Sequence, residues 1–67
     1  MNWTPLAKKA YEQIRANGPL NNMDLLERLS CSRRGLYTVL QELVAEGALR
    51  RHPDLRDMRR HLYTAAH

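Results

Sequence analysis

A chain of 67 residues has room for one domain with one small core, and a protein of this size buries only about 60% of its unfolded surface. Its 43% hydrophobic and 27% charged residues exclude the composition of a disordered segment. The single cysteine, Cys31, excludes an internal disulfide and a cysteine-rich zinc or iron–sulfur cluster.

The basic excess is uneven. Residues 1–32 hold four basic and three acidic groups, whereas residues 33–67 hold seven arginines and four acids. A surplus gathered in the second half suits a polyanionic partner. No apolar run is long enough for a membrane span or a secretory leader, so the expected location is the cytoplasm.

The first predicted helix starts with Thr4 as N-cap and Pro5 at N1, where its missing N–H costs nothing. Leu6, Ala7, Ala10, Tyr11 and Ile14 then form one apolar stripe at helical period. Asn17-Gly18-Pro19 ends it, because Gly18 can turn left-handed and Pro19 cannot continue a helix.

Leu20 to Leu29 reads as a second cap-and-helix unit. Asn21 caps it, Asp24 at N3 completes a capping-box pair, and Leu20 with Leu25 matches a hydrophobic staple. Aspartate is the poorer reach-back partner because it is shorter than glutamate. Ser30-Cys31-Ser32 forms a turn, with Cys31 read as a small packing hydrophobe and, as the alternative, an oxidation-sensitive thiol.

Arg33 to Glu46 is the third predicted helix, capped by Ser32 and stopped by Gly47. Leu36, Val39, Leu40, Leu43 and Val44 follow its inward period. Gly35 costs about 1 kcal/mol relative to alanine inside a helix, which close approach by the second helix or by a phosphate would explain, as would simple tolerance near a helix start. After Gly47 the period changes. Ala48 to His52 and Arg60 to Ala65 read as two strands of an antiparallel hairpin, with Leu49 and Leu62 as the inward side chains and residues 53–57 as polar loop.

This order of helix, helix, turn, helix and hairpin resembles the winged helix-turn-helix superfamily. The residues that carry the likeness are Gly18-Pro19-Leu20, Asp24 through Ser32, Leu36, Leu40, Leu43 and Glu46-Gly47-Ala48-Leu49-Arg50-Arg51. Within it the chain resembles small stand-alone fimbrial regulators and isolated DNA-binding domains of the MarR and ArsR types. The resemblance implies an α+β, mostly α fold with three helices and a two-stranded wing, spanning residues 1–67 as one domain. It also implies a bacterial or phage-encoded regulator of transcription, nucleoid-associated when bound. The third helix would enter the major groove of double-stranded DNA through residues 33–41. The wing, residues 53–60, would meet the backbone or the minor groove.

The residues themselves point the same way. Opposite the leucine stripe the third helix carries Arg33, Arg34, Tyr37, Thr38 and Gln41, types that read base edges: arginine and glutamine through paired hydrogen bonds, Thr38 on a thymine methyl or a phosphate. Tyr37 is able to bond a phosphate through its hydroxyl, and a plain solvated helix face is the alternative for the whole set. Ser32, Arg50, Arg51, Arg56, Arg59 and Arg60 are the candidates for phosphate contact, and Asp54 and Asp57 temper the charge of the wing tip, with surface salt bridges to these arginines as the structural alternative. Arg33 and Arg34 at the positive end of the helix dipole, with Glu42 and Glu46 toward the negative end, run against electrostatic preference. Rule-breaking of this kind collects at functional sites.

Trp3 and Tyr11 serve either the core or a dimer contact, and the partner expected besides DNA is a second copy or another regulatory protein. His52, His61 and His67 lack metal-ligand spacing, so no metal or cofactor is expected. No phosphate loop, no nucleophile paired with a base and no room for a substrate cavity argue against an enzyme. Too few aromatics are present for an RNA-stacking platform. A protein-interaction module of the same fold is the competing reading, which an apolar third-helix face would have favoured.

Overall fold

The computed structural model describes residues 3–56 and 60–66. Its elements run α1 (Pro5–Asn17), β1 (Leu20–Asn21), α2 (Asn22–Leu29), α3 (Arg33–Ala45), β2 (Leu49–Pro53) and β3 (His61–Ala65). All three helices start as their caps require. Thr4 Oγ1 accepts from Ala7 N at 3.2 Å, and Ser32 Oγ accepts from Gly35 N at 3.1 Å. At α2 the capping box is closed in both directions, with Asp24 N donating to Asn21 Oδ1 at 2.8 Å. The return bond, from Asn21 N to Asp24 Oδ2, is stretched to 3.4 Å, as the short aspartate side chain dictates.

The end of α3 shows why Gly47 stops it. Gly47 takes φ +80°, its N–H donates to Val44 O, and Ala48 N donates to Leu43 O at 2.9 Å. These two bonds are a Schellman closure, which satisfies carbonyls that the helix leaves open and aims the chain back toward the sheet. Glu46 is the cap rather than the last helical residue.

The sheet has three strands, not two. Leu20–Asn21 pairs antiparallel with β3 through Leu20 opposite Tyr63 and Asn21 opposite Leu62, giving the order β1-β3-β2. A two-residue strand has no periodicity to detect, and the staple role assigned to Leu20 hid its second role. Pro53, expected in the loop, closes β2 opposite His61. It is tolerated there because β2 is an edge strand, where a missing N–H costs no ladder bond.

Register also corrects the inward residues. Leu49 lies opposite Ala65 and Arg51 opposite Tyr63, so Leu49, Arg51, Tyr63 and Leu20 share one face and Leu62 takes the other. Tyr63 is accordingly 5% exposed and Leu49 2%. Leu62 is half-buried. The core under this face joins Ala7, Ala10, Ile14, Leu25, Leu36, Leu40 and Leu43 to both inward strand residues.

Trp3, just before α1, is tied down. The Trp3 and Tyr11 rings lie 5.1 Å apart at 56°, and Trp3 Nε1 donates to Glu46 Oε2 at 2.7 Å. Both rings pack against the core, which favours the packing role over an open dimer contact and gives Glu46 a partner at the end of α3. Among the described residues no helix is long and apolar enough to cross a membrane.

Candidate nucleic-acid interface

The turn between α2 and α3 sets the interface. Ser30 takes the left-handed conformation at φ 50° and its N–H donates to Leu26 O, so the chain reverses within three residues and α3 starts at once on the Ser32 cap. Cys31 is half-buried against the core. Leu36, Val39, Leu40 and Leu43 then anchor α3, each 6% exposed or less. That anchoring leaves Arg33, Arg34, Tyr37, Thr38 and Gln41 together on the exposed flank.

Neither the Arg33 nor the Arg34 guanidinium has a protein partner among the described residues. Two cations therefore stand unpaired in the first turn of α3, where the dipole disfavours them by about 0.3–1 kcal/mol each. The other members of the flank are internally organised. Thr38 Oγ1 donates to Arg34 O at 3.0 Å, which commits the hydroxyl proton to the helix and leaves the methyl for apolar contact. Gln41 Nε2 donates to Tyr37 Oη at 2.9 Å. Gly35 is explained by its own surroundings rather than by the second helix: a Cβ there would meet Ser32 Oγ at 3.0 Å and Leu6 of α1 at 3.7 Å. Any side chain would press on the oxygen that caps α3.

The strand arginines separate. Arg50 lies opposite Thr64 and Arg51 opposite Tyr63, so the two project from opposite faces of β2. Arg50 is exposed on the outer face, beside a cross-strand contact of His52 Nε2 and Thr64 Oγ1 at 3.0 Å. Arg51 is exposed on the same face of the sheet as Tyr63. Burial pushes the Tyr63 phenol above its ordinary value of 10.0, while the neighbouring Arg51 guanidinium pulls it back. Arg51 also lines a groove of about 450 Å³ between α3 and the sheet, with Arg33, Arg34, Tyr37, His61 and Tyr63. Asn22 Oδ1 is buried in the same wall with no hydrogen-bond partner among the described residues.

In the hairpin loop, Asp54 does more than temper charge. It is 7% exposed, its Oδ1 accepts from Arg56 N at 2.9 Å, and its own N–H donates to Arg60 O at 3.2 Å. The aspartate thus shapes the loop that carries Arg56, which is exposed. Asp57 and Arg59 lie outside the described residues, as does His67. Tyr63 and His61 are not marked by the sequence as part of this surface, because only the strand register shows which side each occupies; for Asp54 the sequence shows the charge but not its backbone bond. The Asp54-to-Arg56 spacing of an Asx turn was the one available signal.

This geometry has counterparts among solved structures. The reduced form of MarR from E. coli is 27% identical, covers 92% of this chain and 46% of its own, and superposes with a TM-score of 0.86. The fold is a winged helix-turn-helix. A MarR mutant from E. coli complexed with operator DNA is 27% identical over 92% of this chain and 44% of its own, with a TM-score of 0.85. A transcriptional regulator from Thermotoga maritima is 25% identical over 94% of this chain and 44% of its own, at a TM-score of 0.86. This winged helix therefore spans less than half the length of the structures it matches. No protein-family model and no curated protein matches it.

Among the described residues no group of three or more His, Cys, Asp or Glu is placed to hold a metal ion. Within the winged helix, α3 is the second helix of the helix-turn-helix and the β2–β3 hairpin is the wing.

Proposed function

We propose that this chain is a sequence-specific double-stranded DNA-binding domain, acting in transcriptional regulation rather than catalysis. In this reading residues 1–67 form one domain that works in the cytoplasm on the nucleoid. The observation that carries the reading is the exposed, unpaired Arg33-Arg34 pair at the head of a helix whose other flank is locked in the core. A helix selected for stability alone would carry acids in that turn. Arginine donates two parallel bonds to guanine O6 and N7, and a helix of this diameter fits the major groove. One neighbour of the same fold was solved with operator DNA.

Arg33, Arg34, Tyr37, Thr38 and Gln41 form the base-reading set. Ser32, Arg50, Arg56, Arg59 and Arg60 serve the phosphates. Arg51, exposed on the opposite face of β2 from Arg50 and lining the groove beside α3, serves a phosphate at the junction of helix and wing. A second copy of the chain, or a partner regulator, supplies the other half-site that two-fold operators present.

Selection of bound sites from random duplex DNA tests this. The expected result is an enriched motif of a few contiguous base pairs, palindromic if the chain binds as a dimer. Retention of all sequences alike, with affinity set only by salt, would assign the fold to a docking role instead.

A further inference from the structure

The exposed flank of α3 contains one side-chain bond that stability does not require. Tyr37 and Gln41 are both open to solvent, Tyr37 at 58%, and sit one helical turn apart with Gln41 Nε2 donating to Tyr37 Oη. Exposed side-chain bonds of this kind contribute little to an isolated helix. Their effect on the glutamine is larger. A free glutamine samples many rotamers and loses that freedom on binding, whereas one already held meets a smaller ordering cost.

The bond also leaves a defined remainder. Glutamine has one acceptor oxygen and two N–H donors. With one N–H committed to the phenol, Oε1 and the second N–H remain, and that pair matches the N6 donor and N7 acceptor of adenine. We infer that Tyr37 is a positioning residue which holds Gln41 in the orientation that selects an A·T pair in the major groove. This rests on the DNA-binding reading and refines it: within the base-reading set Tyr37 contributes by orienting Gln41 rather than by a base or phosphate contact of its own.

The test is selection from random duplex DNA with the intact chain, its Gln41→Ala variant and its Tyr37→Phe variant, with thermal melting of each. Gln41→Ala identifies the base pair by abolishing its A·T preference, about tenfold for a two-bond contact. Tyr37→Phe retains the ring and lacks only the hydroxyl, so it leaves the melting temperature unchanged and weakens the preference at that same pair by about 2- to 10-fold. An unchanged Tyr37→Phe motif overturns the inference, as does a loss of affinity spread evenly over all sequences, which marks a phosphate contact. If the intact chain itself enriches no sequence, the DNA-binding reading falls and takes the inference with it.

Discussion

The first turns of α2 and α3 are built to the same plan and filled with opposite charges. Each starts on a polar cap whose side chain accepts from the N3 backbone N–H. In α2 the N3 residue is Asp24, which answers the cap and suits the positive end of the helix dipole. In α3 the first turn holds Arg33 and Arg34 and no acid. One helix start is arranged for stability and the other concedes some of it. The concession is confined to the exposed flank, since Leu36, Val39, Leu40 and Leu43 on the inward flank of α3 are all 6% exposed or less.

The sharpest way to probe this contrast is to break the inward flank. Leu43 is fully buried, and Leu43→Ala should destabilise the domain by about 2–5 kcal/mol, enough to unfold much of so small a protein. Thermal melting reads this directly, and a loss well under 1 kcal/mol would show that the flank is not the anchor.

On the outward flank the effects should reverse. Arg34→Ala should cost about 1–3 kcal/mol in DNA affinity and relax specificity at one base pair, while stability holds or rises slightly as the dipole conflict is relieved. A titration that shows unchanged affinity rejects Arg34 as a reader. The matching change in α2, Asn21→Ala, should cost about 1 kcal/mol of stability. Once the chain is folded it should leave base preference intact, and altered preference would place the start of α2 in the interface.

The smallest expected effect belongs to the wing. Arg56→Ala should leave the preferred sequence unchanged and lower the slope of log affinity against log salt by about 0.9, the contribution of one phosphate. A change in preferred sequence would move Arg56 from phosphate to base.

Much of this architecture was legible along the chain because its signals are local. Thr4, Asn21 and Ser32 announce helix starts, Gly18 and Gly47 announce ends, and leucine spacing names the buried flank of α3. The sheet was harder. Its third strand is two residues long, and its register depends on how a loop closes rather than on alternation within either strand. That dependence misassigned Leu62 as inward in place of Tyr63, and hid that Arg50 and Arg51 project from opposite faces of β2. Asp54 was visible as a charge, but its service to the Arg56 backbone depends on the loop conformation.

By itself, then, the order of residues determined three capped helices, their boundaries within about a residue, and a cluster of arginines opposite a leucine stripe. These follow from interactions spanning at most a few positions, which a linear reading can follow. The tertiary structure decided the three-stranded sheet, the burial of Tyr63 over the core, the Trp3 clasp on Glu46 and the opposite faces taken by Arg50 and Arg51. Each joins residues distant in the chain, or depends on the pairing between strands. Such choices are made only when the whole core closes, because a shift of one residue in register exchanges the two faces of a strand.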